Sequence, residues 1–255
     1  MRLGKTKLSK DFWLLTIVEL ISFAGNHFRT ITVTVLTYSV TESIFLTALQ
    51  YLFNSVPGFF LSNWAGKLSD QISPRVGLFA INMISGILVL FYLLTESPVL
   101  IIALNVAIAS LGVFSEPIKG GWFVRIVGGG KITEANGIRT SLGGIIDLVF
   151  PFIGGIVIAF FGMKVGILFD SSGFFLSAFG LLLISERRNE QAVRNHLPSN
   201  PMDAPATEEP AAERHASAWA FVKKKPNLLL MLIAYCLITA PGQGFSAVFL
   251  PFLEQ

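Results

Sequence analysis

The sequence predicts an all-α membrane protein, with a six-helix N-terminal transmembrane bundle followed by a linker and a seventh transmembrane helix. Three observations carry this prediction. Charged residues make up 14% of the chain and hydrophobic ones 53%, with a mean hydropathy of +0.66, whereas a soluble domain has about a quarter of its residues charged. Seven apolar windows are each long enough to cross about 30 Å of hydrocarbon. Lys and Arg gather in alternate connections between those windows, as they do in proteins threaded through a bilayer.

The windows run over residues 12–36, 44–65, 77–95, 98–118, 137–161, 163–185 and 227–250. Each must be helical, because lipid offers no water to satisfy an open backbone. The first is a retained span and not a cleaved signal: it carries Glu19, Asn26 and Arg29, and no small-residue cleavage site follows it. All nineteen Lys and Arg except Arg29 and Lys164 lie before the first window, or in or beside the second, fourth and sixth connections. The positive-inside rule therefore places the N-terminus in the cytoplasm of a multi-pass protein of the cell membrane.

Residues 186–216 break the apolar pattern with a polar, Pro/Ala/Glu-rich stretch that reads as a flexible cytoplasmic linker. The expected organisation is a six-helix bundle over 1–185, the linker over 186–216, and a basic lead-in with the seventh helix over 217–255. Six helices, a long charged linker and another helix is the layout of a protein made of two six-helix halves. Seven spans starting inside would leave Gln255 outside directly after an apolar run, so the chain reads as a first half plus the opening of a second, with a C-terminal half missing.

Composition also excludes several functions. Cys236 is the one cysteine, so no internal disulfide forms, and no Cys/His cluster has metal-ligand spacing. No metal and no cofactor are expected. The basic residues, formally +3 in excess, are spread through loops and set orientation; they do not make a nucleic-acid footprint. An intramembrane enzyme is disfavoured, since neither G-x-S-x-G nor H-E-x-x-H occurs. Gly128-Gly129-Gly130-Lys131 is not a phosphate loop, because Arg125 and Ile132 stand where it needs glycine and Ser/Thr.

An ionisable residue at mid-bilayer costs about 3 kcal/mol to insert, so those present mark a water-filled path. Glu19, Ser22, Asn26 and Arg29 fall within an arc of about 80° on the first helix. Asn105, Gly112, Glu116 and Lys119 share a face of the fourth, and the second adds Gln50 and Asn54 beside Pro57 and Gly58. Matching polar faces three spans apart point to a cavity lined by equivalent helices of a three-plus-three repeat. The competing reading pairs Glu19 with Arg29, and Glu116 with Lys119, as packing pairs. The fifth window holds Gly143, Gly144, Asp147, Pro151, Gly154 and Gly155, which fits either a tight seam or a hinge. Asp147 stands out there as acidic, deep and lacking an adjacent base.

Several stretches resemble a family. The loop Gly66-Lys67-Leu68-Ser69-Asp70-Gln71-Ile72-Ser73-Pro74-Arg75 resembles the cytoplasmic signature between helices two and three of the major facilitator superfamily, matching at Gly66, Asp70 and Arg75 and departing at Gln71 and Ser73. Phe150-Pro151-Phe152-Ile153-Gly154-Gly155 is similar to the fifth-helix motif of its exporters, with Phe150 in place of the first glycine. Ala135-Asn136 and Phe169-Asp170-Ser171-Ser172-Gly173-Phe174 resemble the branch of macrolide-efflux and enterobactin-exporter permeases, where Gly25-Asn26 here replaces Gly-Asp.

The resemblance implies a secondary active transporter working by alternating access, with ion-coupled efflux of a hydrophobic or amphipathic small molecule and the proton as coupling ion. Its proton and substrate pathway would comprise Glu19, Asn26, Arg29, Gln50, Asn54, Glu116 and Asp147, with Glu19, Asp147 or Glu116 as proton carrier. Gly66, Asp70 and Arg75 would form the cytoplasmic gating loop, and Pro151, Gly154 and Gly155 the exporter motif. The partners are then the lipid bilayer, the transported molecule and the ion. The alternative is a truncated, non-transporting membrane fragment or scaffold.

Overall fold

Six α-helices follow one another with short connections in the computed structural model, which describes residues 8–184. They are α1 (Lys10–Thr41), α2 (Ile44–Ser69), α3 (Pro74–Leu90), α4 (Pro98–Val127), α5 (Ile132–Phe161) and α6 (Met163–Leu182). Single 3₁₀ turns, Phe91–Leu94 and Gly129–Lys131, extend α3 and lead into α5. Among the described residues there is no strand. The linker expected over 186–216 and the seventh span lie outside the described residues.

Local chemistry sets the helix ends. The Ser9 hydroxyl accepts from the Phe12 N–H at 3.1 Å, and the Ser43 hydroxyl accepts from the Leu46 N–H at 3.3 Å, satisfying amides that begin a helix without a partner. Pro74 and Pro98 occupy first-turn positions, where a missing N–H costs nothing. Gly162 ends α5 at φ 81° with its N–H on the Ile158 carbonyl, and α6 starts at the next residue. Such a positive φ suits glycine. The helices outrun several apolar windows because their polar ends continue the backbone pattern beyond the hydrocarbon.

Five of the six helices are long and apolar enough to cross a membrane. The exception, α1, has 32 residues, or about 48 Å of helix. It falls short in composition because Glu19, Asn26, His27 and Arg29 interrupt it.

α1 packs against α6, α5, α4 and α2, while α3 packs against α4 and α6. One apolar cluster gathers Phe12, Leu15, Leu78, Trp122 and Leu181 at the end where α1 begins. A second gathers Val33, Val89, Ile101, Ile108 and Ile167 at the other end. The middle layer between them is more polar and is sewn together by hydroxyls: Ser22 donates to Ser177, Ser177 to the Val18 carbonyl, and Ser171 to the Gly86 carbonyl. Bonds of this kind each hold membrane helices by about 1 kcal/mol.

The tightest seam is between α1 and α6, not along α5. A Cβ at Gly25 would come within 2.7 Å of Asp170 Oδ1, one at Gly166 within 2.2 Å of Thr32 Oγ1, and one at Gly180 within 2.6 Å of Val18 Cγ2. On α5, Gly154 lies close against Ile31, at 3.0 Å from such a Cβ, whereas Gly144 and Gly155 face open space. The small residues of α5 are therefore a seam on one side only.

Candidate functional site

The charged residues of the first helix do find partners, but not each other. Glu19 and Arg29 are ten residues apart, about 15 Å along the axis, beyond the reach of a pair on one helix. Arg29 instead meets Asp170 of α6, with Nε 3.0 Å from Oδ2, and its Nη2 donates to Asn26 Oδ1 at 2.7 Å. The pair is deep, with the Asp170 side chain 1% exposed and Arg29 14%. Neither Asp170 oxygen has an aligned hydrogen bond, so charge and not directional bonding holds the two together. Gly25 makes the arrangement possible by leaving the space that Asp170 fills.

Glu19 meets Arg139 of α5, Oε2 to Nε at 2.7 Å, again without aligned hydrogen bonds on the carboxylate. The guanidinium carbon of Arg139 sits 5.3 Å from the centre of the Phe123 ring, a cation–π contact. Lys119 and Glu116 of α4 also act on the Glu19 charge. They pair with each other at 2.9 Å, three residues apart, with Glu116 69% exposed. The local packing pair considered for Glu116 and Lys119 is thus formed, and a pair so exposed contributes little to stability.

Asp147 has a base beside it after all: His27 Nε2 lies 3.1 Å from Asp147 Oδ1. The histidine comes from α1, so the absence of a base in the α5 sequence said nothing about the site. Asp147 is 58% exposed, and Phe23 holds the imidazole edge-on at 5.1 Å between ring centres. Asp147, His27, Arg29 and Asp170 all lie near the middles of their helices, so two acid–base pairs share one depth of the bundle.

Next to Arg29 is a cavity of about 50 Å³ lined by Thr30, Thr34, Gln50, Tyr51, Asn54 and Asn105 besides the arginine itself. Sequence reasoning had placed Arg29, Gln50 and Asn54 on one pathway, and the fold brings them together. Gln50 is nonetheless buried and already engaged: Thr37 Oγ1 donates to its Oε1 at 2.7 Å, and its Nε2 donates to Thr34 Oγ1 at 3.2 Å. It staples α1 to α2. Tyr51 shares a 2.7 Å hydrogen bond with Thr34. A second cavity of about 330 Å³ is apolar and sits between α1, α5 and α6, with Ile17, Ile21, Phe150 and Phe169 among its walls.

The α2–α3 connection has Asp70 exposed at the end of α2 and nothing close to Gly66. Arg75 reaches α6, where its Nη2 donates to the Leu182 carbonyl. Pro151 lies inside a continuous α5. Lacking an N–H, it leaves the Asp147 carbonyl without its helical partner. Three residues that pair with the candidate site residues are not among those the sequence singles out: His27, Arg139 and Asp170. The signal for each was a polar residue within or beside an apolar window, and Asp170 stood inside a stretch already noted for its family likeness.

A bundle of long apolar helices with ionisable side chains paired at mid-depth defines a multi-pass membrane protein. The family model of the Major Facilitator Superfamily matches residues 12–255, and the chain belongs to that superfamily. Its members are membrane transporters and not enzymes. No curated protein and no solved structure matches the chain.

Proposed function

We infer that this transporter is a proton-coupled exporter of amphipathic small molecules, akin to the macrolide-efflux and enterobactin-exporter branch, working by alternating access. The observation that carries the reading is the pair of acid–base contacts, Arg29–Asp170 and His27–Asp147, at one depth around α1. Charges at that depth are costly to insert even when paired, and those retained there characteristically mark a path for ions or substrate. The inferred membrane is the cell membrane, with the N-terminus on the cytoplasmic side. Alternating access needs an opposing bundle, from further chain or a second copy, and the exposed Phe59, Phe60 and Trp64 of α2 and Phe152 and Phe160 of α5 offer apolar faces for it.

Among the acids, Asp147 fits a proton carrier best. It is accessible, sits at mid-depth, and has a titratable partner in His27. Glu19 is enclosed by Arg139, and Glu116 is neutralised on its own helix by Lys119. In proteoliposomes, Asp147→Asn abolishes substrate-driven proton movement while Glu116→Gln retains most of it. Equal loss in both, or full activity in Asp147→Asn, removes Asp147 from the mechanism.

A further inference from the structure

Resting on the transporter reading, we propose that the cavity beside Arg29 is an oxyanion subsite, which takes the carboxylate head of an amphipathic substrate. The cavity walls present several hydrogen-bond donors. A guanidinium has five N–H groups and accepts nothing. Arg29 directs Nε at Asp170 and one Nη2 hydrogen at Asn26, and the Tyr92 hydroxyl also lies beside its guanidinium, which still leaves two of the five donors for the cavity that it lines. Asn54 and Asn105 also line the cavity, and neither side chain has a hydrogen-bond partner among the described residues. Their carboxamides are two further sources of N–H.

Apart from the Asn54 and Asn105 carboxamide oxygens, which rotate away when their NH2 groups turn to an anion, the side-chain acceptors on the same walls are occupied. Gln50 Oε1 is taken by Thr37, and Thr34 Oγ1 receives Gln50 and shares a bond with Tyr51. The Thr30 hydroxyl is spent on the Asn26 carbonyl at 2.8 Å. What remains is a donor-rich pocket with one cation and no acid on its walls, because Asp170 sits behind Arg29 and does not line the cavity.

Size and surroundings complete the match. The volume of about 50 Å³ holds roughly three or four water-sized groups, so a carboxylate fits and a bulky body does not. Thr30 and Asn54 are exposed at the rim, leaving a way in. The body of the ligand then stays outside, against the bundle's apolar walls. Asp170 keeps the empty site neutral, which allows a cation to wait at mid-depth without a ligand. An incoming carboxylate gains charge-assisted hydrogen bonds that a neutral amide of the same shape does not.

The test measures binding and needs no transport. The 255-residue chain in nanodiscs is titrated with radiolabelled octanoate, competed by unlabelled octanoate, octanamide, octylamine or acetate. The expected result is saturable octanoate binding, with octanamide at least about tenfold weaker, octylamine ineffective, and acetate weaker than octanoate. The double variant Arg29→Gln/Asp170→Asn, which leaves no charge stranded, loses the preference for carboxylate over amide. Asn54→Ala/Asn105→Ala, which leaves the Arg29–Asp170 pair in place, weakens octanoate several-fold with the unfolding midpoint retained.

Equal competition by octanamide, or an unchanged preference in either double variant, overturns the proposal. Acetate binding as tightly as octanoate overturns its amphipathic part and leaves a site for small free anions. Octanoate binding as expected with no proton movement in proteoliposomes once an opposing bundle is supplied refutes the coupling instead, so the two readings fail separately.

Discussion

Removing the Asp170 carboxylate while keeping Arg29 strands a guanidinium in the interior, and breaking a buried pair in this one-sided way costs about 3 kcal/mol or more. Asp170→Asn should therefore lower the unfolding midpoint in detergent strongly, and adding Arg29→Gln should recover much of the loss. A smaller effect of the same origin is expected at Gly25, where a methyl would meet Asp170 Oδ1 at 2.7 Å. Gly25→Ala should destabilise by about 1–3 kcal/mol, whereas Gly112→Ala, with nothing within 4 Å, should leave the midpoint in place. At this scale the sequence shows where the intramembrane charges stand and is silent on their partners. Glu19, Arg29 and Asp147 were visible because a charge inside an apolar window is conspicuous. Their partners Arg139, Asp170 and His27 sit on helices distant in the chain, and a single sequence holds no record of which helix faces which.

Helix pairing rests on a few side chains that single-span periodicity cannot reveal. Gln50 ties α2 to α1 through Thr34 and Thr37, so Gln50→Leu removes both inter-helix bonds, while the two hydroxyls keep the Thr30 and Val33 carbonyls of their own helix. The expected cost is about 1 kcal/mol, read as a lower unfolding midpoint with the helix content unchanged. In α5, Pro151→Ala restores a hydrogen-bond donor to the Asp147 carbonyl. Circular dichroism and thermal unfolding should show a more stable helix; if the weakened turn matters for gating, transport slows while binding holds. The positions of the six described helices were legible from apolar windows alone, since bilayer thickness dictates length and lipid dictates helix. Their extensions were less so, because the added turns at the ends of α2, α4 and α5 are polar or glycine-rich. Glycine density on α5 is compatible with a seam or a hinge, and only Gly154 there makes a close approach; close approach depends on what stands opposite, and α6 presents Gly166, Gly173 and Gly180 to α1.

For the molecule as a whole, the proposed polar path implies two environments on the bundle surface. The exposed Thr30, Asn54 and Gly144 of α1, α2 and α5 would border that path, while Ile84 and Ile87 of α3 are exposed on a face that carries no charge. Composition and the positive-inside rule made the membrane setting legible, and membership of the Major Facilitator Superfamily agrees with it. The direction of the polar faces became readable only when six helices were placed together, because a face is polar in sequence whether it meets water, a neighbour or a headgroup. The most direct test replaces Cys236, the one cysteine in the chain, with serine and introduces cysteine singly at Thr30, Asn54, Gly144, Ile84 or Ile87. Intact membranes are then treated with a charged, membrane-impermeant thiol reagent. Labelling at Thr30, Asn54 and Gly144 but not at Ile84 or Ile87 is the predicted outcome. Protection at all five, or labelling of the α3 positions alone, would mean that the ionisable groups do not face an aqueous path.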